Sequence, residues 1–145
     1  MELNDENGFT FMEILIVVVI ISLLVAIVGP RLIGQTHEAK KAAVKQQIGN
    51  FETALKLFKI DNGFYPSTDQ GLEALVEKPT TGREPKSYRE RGYMEKSNIP
   101  MDPWKNPYIY ISPGLHDDYD IFSYGADGDE GGEGEDADIT SWEVE

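Results

Sequence analysis

The feature that most constrains this chain is the run from Phe9 to Val28, FTFMEILIVVVIISLLVAIV, in which only Thr10, Glu13 and Ser22 are polar. A helix of that length spans about 30 Å, the thickness of a bilayer's hydrocarbon core. Only a helix or a closed barrel pairs every backbone polar group in lipid, so helix is the predicted state. Glu13 is then the anomaly. An ionisable side chain in such a segment is costly and marks a functional site whose partner has to be found.

A cleaved secretory signal fits poorly. It would carry a basic leader, a shorter apolar core and small residues at a cut site beyond that core. Here the leader MELNDENG is acidic and IVGPRLIG is a poor cut site. A plain signal anchor would leave Glu13 without a reason. Gly29–Pro30 then allows a kink or local melting before the helix resumes.

From Thr36 to Ile60 the pattern turns amphipathic. Val44, Ile48, Phe51, Leu55 and Phe58 recur at steps of four and three, one face of a helix, and lysines fill much of the remainder. The stripe is too short to favour a free coiled coil. Asp61-Asn62-Gly63 is a stop signal with Gly63 as the left-handed C′ residue. The expectation is one long, interrupted helical spine: 9–29 as the membrane segment and 30–62 as its amphipathic continuation.

Beyond it, residues 63–145 read as a globular domain. GLEALV gives a short helix with Leu72, Leu75 and Val76 on one side, and the charged, Gly- and Pro-rich stretch that follows, to Trp104, reads as irregular loop. PYIYIS at 107–112 and YDIFSYG at 119–125 are β-branched and aromatic strand candidates, with PGLHDD as a hairpin connection. The predicted class is α+β, a helical spine packed on a small antiparallel sheet. His37 and His116 have no Cys, Ser or second His at useful spacing and read as surface residues.

Charge is distributed unevenly. Residues 1–116 carry 14 acidic and 13 basic side chains, whereas 117–145 carry 12 acidic and no basic ones. Such a chain gains no support as a nucleic-acid binder. The acidic stretch, SYGADGDEGGEGEDADITSW, is either a solvated tail or a cation site. Its donors are all oxygens on a Gly-rich backbone, which suits Ca²⁺. Against the EF-hand pattern, Asp127, Asp129, Gly132 and Asp138 fall at places one, three, six and twelve, but place five is Gly131 and no helices flank the loop. Ile139 and Trp142 offer apolar anchors. With no cysteine in the chain, a metal is the remaining staple for a small core.

The start of the chain, G|FTFMEILIVVVII, resembles the class III signal of type IV pilins and pseudopilins. That resemblance implies removal of the leader 1–8 by a prepilin peptidase between Gly8 and Phe9, N-methylation of Phe9, and a cytoplasmic N terminus. It also supplies a partner for Glu13: the new amine of Phe9, in the same chain or in a neighbour shifted along a filament, with Glu13 setting the register of assembly. The acidic leader, followed by Arg31, Lys40, Lys41 and Lys45 beyond the apolar run, conflicts with the positive-inside rule.

GFYPSTDQGLEALV, DPWKNPYIY and DIFSYGADGDEGGEGEDADITSW are similar to the major pseudopilins of the type II secretion system, the general secretion pathway protein G family. The resemblance implies a calcium ion in loop 124–138, with Asp127 and Asp136 as carboxylate ligands and the carbonyls of Tyr124 and Gly134 added, Asp129 and Asp138 being substitutes. It further implies a single-pass inner-membrane subunit with a periplasmic domain. Such a subunit polymerises with itself and with minor pseudopilins on an inner-membrane platform, and drives folded exoproteins across the outer membrane. A surface pilin for adhesion, motility or DNA uptake is the alternative, disfavoured by the absence of a disulfide-bounded loop. No nucleophile–base pair, open metal position or phosphate loop is visible, so no enzymatic activity is expected.

Overall fold

A computed structural model describes residues 9–143, without the side chains of 27–35; the leader, including Gly8, lies outside the described residues. The chain divides into two compact units, one reaching to Glu38 and the other beginning at Ala39.

Helix α1 runs from Phe11 to Asn62. The local melting expected at Gly29–Pro30 is not found. Proline removes one backbone donor from a helix, and here the turns on either side remain helical. In the first unit, Ile14 to Ile21 are each between 46% and 56% exposed, so this stretch has no face that it buries within its own unit. Among the described residues no helix is long and apolar enough to cross a membrane; side chains are described for only part of the apolar run.

In the second unit the helix buries the stripe read from the sequence: Val44, Ile48, Phe51, Leu55 and Phe58 are all within 1% of full burial. It ends as predicted. Gly63 adopts φ 80°, and its N–H donates to the Lys59 carbonyl at 2.7 Å, closing the last turn.

The sheet is antiparallel, in the order β1 (Ile109–Ile111), β2 (Asp120–Ser123), β3 (Ile139–Thr140). Tyr110 lies opposite Ile121, and Ser123 opposite Ile139. Tyr110, Ile121 and Ile139 join the helical stripe in one core, with Phe51 edge-on to Tyr108 at 5.1 Å between centroids. Burial pushes the Tyr110 phenol up to about 12, and its hydroxyl donates to the Pro66 carbonyl at 2.8 Å. Two of the three strands and their hairpin match the predicted ones, in shorter form. β3, foreseen only as an apolar anchor, is the addition.

The stretch predicted as irregular loop has little regular structure, yet it is pinned. Gln70 is buried and donates through Nε2 to the carbonyls of Thr81 (2.6 Å) and Arg83 (3.0 Å). Asn62 donates to the Tyr93 hydroxyl and accepts from the Ser87 N–H. Phe58 is the hub of an aromatic cluster with Phe64, Tyr88 and Tyr93.

Candidate functional site

The site residues foreseen in the sequence fall in two places, one in each unit. At the start of α1, Thr10 and Glu13 cap each other. Glu13 Oε2 accepts from the Thr10 backbone N–H at 2.8 Å and from its hydroxyl at 2.9 Å, while the Glu13 N–H donates to Thr10 Oγ1 at 3.2 Å. This reciprocal arrangement is the capping box: a Thr at N-cap and a Glu three residues on satisfy donors that the first helical turn would otherwise leave unpaired. Within the subunit Glu13 thus has a partner that sequence reading missed, although Thr-x-x-Glu ahead of an apolar run is its signature. Phe9 stands one residue before Thr10 and is strongly exposed.

The acidic loop leaves the end of β2 and returns into β3. Tyr124 follows β2 directly, half-buried and edge-on to Phe122. The loop is closed by the Ala126 N–H donating to the Glu135 carbonyl at 3.0 Å, so Asp127 and Asp136 each follow a member of the closing pair. The N–H of Asp136 donates to the Glu133 carbonyl at 3.2 Å. Gly125 has φ 73°, and a Cβ there would stand 2.8 Å from the Ala137 carbonyl oxygen, so the two ends of the loop touch only because this residue is glycine.

The predicted ligands are distributed as follows. Asp127 is exposed, its Oδ1 accepting from the Asp129 N–H at 3.1 Å. Asp129, Gly134 and Asp136 are exposed on the same loop. Asp138 turns one oxygen, Oδ2, to the Gly131 N–H at 3.0 Å, and its other oxygen, Oδ1, is buried without a hydrogen-bond partner. Among the described residues no three acidic or histidine side chains converge as a metal cluster. What the loop offers is the donor chemistry that suits calcium rather than an assembled ligand set. All donors are hard oxygens, and an orphaned buried carboxylate oxygen is an atom that a cation would satisfy.

At the opposite end of β2 from this loop, Asp120, the first residue of the strand, is almost fully buried and gathers the segment 115–116. It accepts from the Leu115 N–H at 2.8 Å and from His116 Nδ1 at 3.0 Å. Burial alone would raise its carboxyl, but the amides of Leu115 and His116 and the imidazole outweigh that, and the net shift is downward. His116 lies at the surface as predicted, but held from two sides.

Residues 31–142 match the family described as type II secretion system (T2SS), protein G, and residues 3–29 match the prokaryotic N-terminal methylation motif. The chain belongs to the protein G family of the type II secretion system. It is 46% identical over 143 residues to the type II secretion system core protein G of Pseudomonas aeruginosa, covering 99% of both chains. To the protein of the same name from Vibrio cholerae it is 46% identical over 144 residues, covering 99% of this chain and 97% of that one. The crystal structure of the major pseudopilin from the type 2 secretion system of enterohaemorrhagic Escherichia coli superposes with a TM-score of 0.67 at 42% identity, over 78% of this chain and 95% of that chain. The family is that of a structural subunit, and it is the secretion-system branch rather than the surface-pilus alternative.

Proposed function

We propose that this chain is the major subunit of a periplasmic pseudopilus of a type II secretion system. The supporting observation is the pairing of protein G family membership with a start of α1 in which a lone carboxylate, Glu13, caps a stretch, Ile14 to Ile21, that is apolar on every side. In this reading the chain is first a single-pass protein of the inner membrane with its second unit in the periplasm. A prepilin peptidase removes residues 1–8, and Phe9 becomes the N terminus and is methylated. The new cation stands beside the Thr10–Glu13 cap. A neighbour's Phe9 amine then meets Glu13, and head-to-tail contacts between identical helices extend into a filament. Minor pseudopilins and the inner-membrane platform are the remaining partners, and the filament drives folded exoproteins outward.

Calcium bound in loop 124–138 would supply positive charge among the carboxylates of Asp127 and Asp136, with the carbonyls of Tyr124 and Gly134, and Asp129 or Asp138 in reserve. The chain's own part is to close the loop through Ala126–Glu135 and to offer the unpaired oxygen of Asp138.

The test is removal of the gene from its host, complemented by the full chain. Exoproteins should accumulate in the periplasm and be released on complementation, with surface pili unaffected. Normal exoprotein release in the deletion strain refutes the reading. Intact mass of the membrane-extracted protein reports cleavage and methylation together.

A further inference from the structure

The acidic loop is entered through Gly125, and both backbone polar groups of that residue are held by side chains. Its N–H donates to Ser123 Oγ at 3.3 Å, and its carbonyl accepts from Asn106 Nδ2 at 2.9 Å. Both holders converge on one buried carboxylate. Ser123 Oγ donates to Asp102 Oδ2 at 2.6 Å, and the Asn106 backbone N–H donates to Asp102 Oδ1 at 2.8 Å. A hydroxyl has one proton to give and lone pairs to receive, so Ser123 serves Asp102 and Gly125 at once. The result is a closed ring: Asp102, Ser123, Gly125, Asn106.

The ring is built into the fold. Ser123 is fully buried and Asp102 nearly so. The Asp102 carboxylate also accepts from the Trp104 N–H, and its own N–H donates to the Asn106 carbonyl. Lys105 takes the left-handed φ of 74° that this tight turn needs. Asn106 reaches further still. Its side-chain atoms lie 3.3 Å from where a Cβ would stand on Gly128, so it underlies both glycines that bracket Asp127.

A buried carboxyl group is expensive unless hydrogen-bonded, and here both of its oxygens accept. What the carboxylate achieves is to fix the first peptide of a loop containing five glycines, Gly125 to Gly134. Such a chain would otherwise lose much conformational freedom at the moment of binding. We infer that the ring of Asp102, Ser123 and Asn106 is a positioning device that presets the acidic loop for a divalent cation, with Asn106 as the strut between ring and loop. The inference rests on the calcium reading above and names residues that do not touch the ion.

Asn106→Ala removes the strut from a half-buried position and leaves Asp102 and Ser123 paired. Asn106→Asp is a near-isostere that lacks the donor and should behave no better. On the full chain in detergent, two measurements are made: calcium titration by calorimetry, and hydrogen exchange of the amides of 125–138 without calcium. Expected are a roughly five- to tenfold weaker calcium affinity, the effect of one lost hydrogen bond, and faster loop exchange, with the amides of Phe51 to Phe58 unchanged. Unchanged affinity in both variants overturns the inference, whether or not the loop loosens. Should the wild-type chain bind no calcium, the calcium reading itself falls. Exchange then decides the ring alone: acceleration in Asn106→Ala upholds it as the loop's holder, and wild-type rates overturn it.

Discussion

The imidazole of His116 lies flat against the indole of Trp142, with 3.8 Å between ring centroids and 10° between planes. The same imidazole is bonded through Nδ1 to buried Asp120, so the turn after β1 and the segment after β3 are clamped across β2. Trp142→Ala should remove about 0.5–1.5 kcal/mol, the usual worth of an aromatic pair. Urea denaturation of the two proteins compares them directly, and equal midpoints would mean the stack contributes nothing.

Asp120 gives this clamp a pH dependence. Its carboxyl is held below the ordinary carboxylate range, so the unfolded chain binds a proton more readily than the folded one. Its stabilising contribution is therefore full above the ordinary carboxylate range and is lost as pH falls through the lowered folded value. Midpoints measured from about pH 6 down to about pH 3 should fall steeply in the wild type. In Asp120→Asn the slope should be shallower and the neutral-pH stability lower, because the Asn amide meets the donors of Leu115 and His116.

Phe58 and Ile60 lie two residues apart on α1 with opposite fates. Phe58 is fully buried among Phe64, Tyr88 and Tyr93, while Ile60 is 75% exposed. Phe58→Ala should cost about 3–5 kcal/mol, whereas Ile60→Ala should stay within about 0.5 kcal/mol. Chemical denaturation checks both.

Two roles of Glu13 separate by substitution. A Gln at this position still completes a capping box but carries no charge for a neighbour's amine. Glu13→Gln should keep the helix start intact by amide exchange and yet abolish filament assembly, and Glu13→Ala should lose both. Filaments formed normally by Glu13→Gln would leave the carboxylate a cap and nothing more.

Calcium removal should be felt by the whole second unit, since the loop feeds β3. A ligand at a hundred times its Kd stabilises by about 2.7 kcal/mol, on the order of 10 °C in Tm for a domain of this size. Adding a chelator to calcium-saturated protein should lower Tm by that order and expose 125–138 to protease. Indifference of both to chelator removes calcium from the picture.

The parts legible in the sequence are those with a period or a strong local composition. The helical period of Val44 to Phe58 announced the buried face of α1, and the β-branched and aromatic runs 107–112 and 119–125 announced β1 and β2. Ile139–Thr140 is too short to show a period, so β3 stayed hidden behind a mere apolar anchor. Gln70, Asn62 and Asp102 were invisible for a different reason: each bonds a group far along the chain, the Thr81 carbonyl, the Ser87 N–H and the Ser123 hydroxyl respectively, and nothing in its immediate neighbours says so. Likewise the composition of 124–138 left a solvated tail and a cation site both open, while Asn106, which grips the loop, lies outside it.

Ile14 to Ile21 are exposed to nearly the same degree all the way round. Acyl tails and aliphatic side chains are about equally oily, so for such a rod trading one surrounding for the other alters its solvation little. In the proposed role, growth and retraction would then be near balance. A modest push at the base could run the polymer either way, and one oppositely charged pair per protomer would suffice to tell it where to stop.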